Sequence, residues 1–255
     1  MTGGTCSAFP ATKGRAIMMR ALLWRGLFAG LVGAFVAAAF AWLVAEPQID
    51  AAIALEARHA AHVGAIDDEL VSRATQRTWG LFTAMALYGT AMGGLLAIVF
   101  AGMYGRVARI GPRGLALALG LAAFAVIVLF PAIKYPPTPP AVGLHETVRL
   151  RTAAYFAMIA VSMLAAIGAL WMQQRLVRRL SGFDRLLVAI VAYLGTVLVV
   201  QWLLPSVDEV PADFPATLLW RFRLAALATQ ALFWLVAADL FGRWAERSLL
   251  TRPSR

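Results

Sequence analysis

Six long stretches of the chain carry almost no charge: 25–45, 78–104, 115–133, 152–174, 186–204 and 222–240. A helix needs about 20 apolar residues to cross a hydrocarbon core of about 30 Å, so each stretch reads as a transmembrane helix. The first ends at Glu46-Pro47, and Arg223 and Asp239 leave the sixth the shortest uncharged centre. The short alternating segments of a β-barrel are absent from the sequence. Helices close their own backbone hydrogen bonds in lipid, so the predicted fold is all-α, a polytopic membrane bundle of about six transmembrane helices. Residues 1–17 read as a disordered N-terminal extension, 18–248 as the transmembrane domain and 249–255 as a cytoplasmic tail. Lys13, Arg15 and Arg20 before the first run also fit a signal peptide. That run is longer than the usual signal core of about 7–15 residues, and it is read here as a span.

Composition agrees with this pattern. The chain is 61% apolar and 14% charged, against about 45–50% and about 25% in soluble domains. A soluble enzyme and a disordered tail are excluded. The net charge of +10 raises nucleic-acid binding as an option, but its placement argues against it. Of the 23 basic residues, 21 are Arg, and they cluster at the edges of the apolar runs, facing lipid headgroups. The N-terminus, the second and fourth loops and the tail hold 15 of them; the first, third and fifth loops hold 8. The positive-inside rule then predicts an inner-membrane protein with both termini cytoplasmic. Ten of the 13 carboxylates and all three histidines fall on the outer side. The single Cys6 excludes an internal disulfide and a cysteine metal site. No Gly-x-x-x-x-Gly-Lys-Ser/Thr phosphate loop is present.

Within the spans, Gly26-x-x-x-Gly30 and Gly89-x-x-x-Gly93 read as close helix-packing faces. Five methionines (Met85, Met92, Met103, Met158, Met163) read as membrane core, with a path for a soft cation as the rival reading. Asp239 stands one helical turn before Arg243 and in reach of it.

The outer loops carry the candidate chemistry. His59 and His62 share a helical face at i and i+3, a spacing that suits a divalent ion, with Asp67, Asp68 and Glu69 following. Solvated bystanders are the rival reading. The next outer loop holds five prolines within ten residues, Pro131, Pro136, Pro137, Pro139 and Pro140, which favour an extended, stiff segment. Gly143 frees the chain to turn, and His145-Glu146 stand at the start of the following helix, as a rigid connector or as metal ligands. The last outer loop sets Asp208, Glu209 and Asp213 among Pro205, Pro211 and Pro215. These acids suit a hard or borderline cation, or salt bridges to Lys134, Arg221 or Arg223. The Pro-rich loop is expected to lie against 205–215, with Lys134 or Arg221 near a carboxylate.

Two strings carry a family resemblance. Pro131-Ala-Ile-Lys134-Tyr135-Pro136-Pro137-Thr-Pro139-Pro140-Ala-Val-Gly143 and Leu204-Pro-Ser-Val-Asp-Glu-Val-Pro-Ala-Asp-Phe-Pro215, the latter followed by Leu-Leu-Trp-Arg221-Phe-Arg223, resemble the CbtA family of cobalt transporter subunits. The likeness runs from about Met18 to Gly242, and the first 17 residues have no counterpart in it. It implies a membrane subunit of a cobalt(II) uptake system; the outer-loop histidines and acids then suggest capture of the metal at the outer face, and no catalytic constellation of residues suggests an enzyme. It also implies a small one-span partner, CbtB, with a His-rich tail of its own. The rival reading is a non-transporting membrane scaffold for such a metal-binding partner, since ionisable groups are scarce in the spans and usually mark ion paths.

Overall fold

The computed structural model describes residues 11–63, 72–106, 110–143, 147–207 and 209–250, without the side chains of 11–17, 59–63, 178 and 250. Among the described residues there is no strand. Six helices are long and apolar enough to cross a membrane: α1 (Met18–Arg58), α2 (Arg73–Met103), α3 (Pro112–Lys134), α4 (Val148–Arg175), α5 (Gly182–Leu203) and α6 (Ala216–Leu249). Each contains most or all of one apolar stretch of the sequence. Start signals act where the chain re-enters a helix. Ser72 caps α2 through Thr75 N–H, and Ser181 caps α5 by accepting from Asp184 N–H at 3.2 Å. Large apolar side chains remain on the surface, Trp202 at 83% exposure being the extreme. Such a surface is what lipid requires.

The helix that begins as α1 does not stop at Glu46-Pro47; it continues to Val63. The physical reason is a π-helical segment, Ala41–Ala45, placed just before the proline. Glu46 donates its N–H five residues back, to Ala41 O. The wider turn eases both the missing donor of Pro47 and the clash of its ring with the preceding turn. α3 repeats the device. Phe124–Leu129 is π-helical, Phe130 donates to Ala125 O, and the helix runs on through Pro131 to Lys134. Pro131 therefore belongs to a helix and not to an extended loop segment. Glu46, Asp50 and Glu56, three of the acids counted on the outer side, lie on α1 as well.

The chain divides into two compact units. One holds α1 up to Ala38, Thr78 to Leu121 and α6 from Leu232. Its core is built from small residues that let backbones touch. A Cβ on Gly26 or Gly30 would collide with the backbone of Gly93 or Gly89. One on Gly33 would meet Ala237, and one on Gly120 would meet Ala238. Phe100 and Phe241, both fully buried, meet edge to face with centroids 5.1 Å apart. Asp239 accepts from Arg113 Nε at 2.8 Å and from Arg243 Nε at 2.7 Å, so the pair expected at i+4 forms and a second arginine joins it.

The other unit holds Ala39–Arg77 and Ala122–Ala231. Here α4 packs on α5 around Ala154, Met158 and Val197. Ser162 Oγ and Tyr193 Oη meet at 2.8 Å between these helices. Gln201 donates to the carbonyl of Phe130 at 2.8 Å. Ser162, Tyr193 and Gln201 thus meet partners within the apolar layer, as burial away from water demands.

Candidate functional site

The Pro-rich loop after α3 is held by its own sequence. Tyr135 is buried, and its hydroxyl donates to Pro205 O at 2.8 Å. Burial pushes its phenol above the usual tyrosine range, so it stays a donor. Lys134 Nζ donates to Ser206 Oγ at 3.2 Å. The two motif-bearing loops are thereby docked on each other, as the sequence reading expects. Pro139 and Val142 are buried, and Val142 N–H donates to Pro139 O at 3.3 Å, closing a turn with Pro140 and Ala141 at its centre. Ala141 has a φ of 65°, a left-handed value, and Gly143 follows with a φ of 120°. The segment is a turn at this point and not extended throughout, because Ala141 reverses it before Gly143 does.

The carboxylate partner differs from the expected one. Glu209 accepts from Arg151 Nη1 at 2.8 Å, while Lys134 reaches Ser206 instead. The reason is reach. Gly143 has no side chain, and the Arg151 guanidinium occupies the space a Cβ would fill. Glu209 is 7% exposed, so the pair is largely removed from water. Arg223 stands in the wall of the same cavity, whereas Arg221 is exposed. The cavity has a volume of about 240 Å³ and takes its walls from the Pro-rich loop, α4, the loop after α5 and α6. Asp213 lies at a second cavity of about 270 Å³, with Pro211 and Pro215 of its own loop, Ala141 and Leu55.

A second polar cluster sits where the long first helix faces the start of α2. Arg73 bridges Glu46 and Asp50, and Arg77 Nη1 reaches Asp50 at 3.0 Å while lying over the Trp42 ring. Sequence reading passed it over. The signal was available as two matched rows, acids at 46 and 50 and arginines at 73 and 77, each spaced i, i+4 on a helix.

Several expected ligands lie outside the described residues: His145, Glu146, Asp208 and the side chains of His59 and His62. The backbone at both His59 and His62 is helical. Among the described residues, no three His, Cys, Asp or Glu side chains come together as a metal site. Within this set Glu209 is paired with Arg151, and Asp213 stands at the separate cavity.

Comparison with known proteins gives one family. The family model described as "Probable cobalt transporter subunit (CbtA)" matches residues 19–246. No curated protein and no solved structure matches the chain. The match spans all six apolar helices and both docked loops, and so the chain, a multi-pass membrane protein, belongs to the CbtA family of probable cobalt transporter subunits.

Proposed function

We propose that this chain is the membrane subunit of a cobalt(II) uptake system and gathers the metal at its outer face. The observation that supports this most directly is the docking of the two motif loops through Tyr135 to Pro205 and Lys134 to Ser206. It builds a fixed frame at the rim of the helices, from which His145, Glu146, Asp208 and Asp213 are supplied as donors, with His59 and His62 on the first helix. Imidazole and carboxylate together suit a borderline divalent ion. Glu209 acts in the frame and not as a ligand, because Arg151 holds it. The subunit works with a partner, for which a small one-span CbtB-like protein with a His-rich tail is the candidate.

The test is cobalt accumulation at limiting metal in cells that make the chain with and without that partner. Wild-type chain should raise uptake. His145→Ala should lower it by about tenfold or more, the loss expected when a site of few ligands gives one up. His59→Ala and His62→Ala should lower it less, since they stand on a separate segment. Uptake should also fall as the outside is acidified, because a protonated imidazole has no lone pair for the metal. Full uptake in all three variants at equal protein levels would remove the histidines from the site.

A second reading has one observation in its favour. The intramembrane acids are tied to arginines, as with Asp239 between Arg113 and Arg243, which leaves little for an ion to follow. A scaffold that only holds the metal-binding partner would co-purify with it. Such a scaffold would leave uptake unchanged when the outer-loop donors are replaced.

A further inference from the structure

The cavity beside the Arg151–Glu209 pair has chemistry that the metal reading does not use. Its charged wall groups are Arg151, Arg223 and Glu209, a formal surplus of one positive charge. A metal cation would be repelled there. Arg151 is already committed, with its guanidinium over Gly143 and its Nη1 on Glu209. Arg223 is different: its Nε is buried and has no hydrogen-bond partner among the described residues. A guanidinium carries five N–H donors in a fixed fork, and it has no acceptor of its own. A buried donor without an acceptor is a standing cost that an oxyanion would remove.

The neutral part of the wall narrows the choice. Thr138, Thr152 and Tyr155 bring hydroxyls, which suit the remaining oxygens of a tetrahedral anion. Pro136, Val142 and Val207 bring an apolar side, which suits the organic substituents of an ester. A single positive surplus matches a single negative charge, the charge of a phosphodiester. We propose that this cavity binds a phosphate group, carried by a membrane lipid as its headgroup diester or present as a free ion, and that Arg223 is its principal donor.

The experiment uses the full chain purified in detergent and follows its thermal unfolding midpoint. Phosphatidylglycerol in mixed micelles, inorganic phosphate and diacylglycerol, which lacks the phosphate, are titrated separately. A saturable rise with phosphatidylglycerol alone assigns the lipid; a rise with inorganic phosphate assigns the free ion. Diacylglycerol should do nothing. Arg223→Gln should weaken the apparent affinity by about tenfold or more, the loss expected for a charge-assisted contact. Arg149→Gln, an exposed arginine near the start of α4 but outside the cavity wall, should leave it unchanged. Should Arg223→Gln fold poorly, Val210→Glu adds a carboxylate to the wall while keeping Arg223, and it should abolish the effect. The proposal falls if neither phosphate compound shifts the wild-type midpoint, if diacylglycerol shifts it equally, or if well-folded Arg223→Gln or Val210→Glu responds like the wild type.

Discussion

Single residues decide how the outer loops are held. Arg151 is the clearest case, because it fixes a buried carboxylate from a helix while resting on a glycine. Removing one partner of a largely buried pair leaves an uncompensated charge, a loss of about 3–5 kcal/mol when burial is complete. Arg151 keeps 28% exposure, so Arg151→Leu should lower stability by roughly 2–3 kcal/mol. Arg151→Leu with Glu209→Leu should recover most of that loss, since two apolar groups need no counter-charge. Unfolding of the purified variants in detergent would measure both, and a double variant no better than the single would assign the pair no coupling. Ala141 is a second case. A left-handed L residue costs roughly 1–2 kcal/mol, of which glycine's greater freedom in the unfolded chain offsets about 0.5–1. Ala141→Gly should therefore stabilise by about 0.5 kcal/mol, and Ala141→Val should destabilise, in the same unfolding assay. Neither residue was legible beforehand. The sequence shows acids and bases on adjacent loops, but the choice of Arg151 over Lys134 depends on the room left at Gly143.

At the scale of elements, apolar length was enough to find all six helices, because lipid leaves the backbone no alternative to closing its own hydrogen bonds. Their ends were less legible. Pro47 reads as a stop, and only the π-helical turn before it lets the helix continue. The same turn before Pro131 moves that proline out of the loop and into α3. The glycine pairs were read as packing faces, and they meet each other: Gly26 and Gly30 lie against Gly93 and Gly89 within one chain. That contact occupies both faces and leaves no glycine face there for a second copy. Gly30→Leu places four carbon atoms where the Gly89 carbonyl stands, which no rotamer avoids. It should lower the yield of folded protein sharply. Gly102→Leu, with nothing near its Cβ position, should be tolerated. Size-exclusion profiles of the two variants would compare them, and a well-folded Gly30→Leu would mean that the two helices separate at little cost.

For the molecule as a whole, the remaining question is which way the helices face, and charge answers it more firmly than any contact. The two alternating sets of loops and termini hold 15 and 8 basic residues. Each arginine carried across during insertion opposes the membrane potential and loses the anionic leaflet, so the richer set should stay inside. With six helices the two termini share a side, and that side should be the cytoplasm. That orientation would put Tyr135, Pro205 and the Arg151–Glu209 pair outside, on the side where the proposed metal-gathering face belongs. A reporter that fluoresces only in the cytoplasm, fused after Arg255, should be bright; one that needs the periplasm, fused at the same place, should be silent. A fusion after Leu204, following α5, should show the reverse. Periplasmic activity at Arg255 together with cytoplasmic activity at Leu204 would invert the whole molecule and place the docked loops inside. Periplasmic activity at both points would instead mean that α6, with Arg223 and Asp239 along it, does not cross.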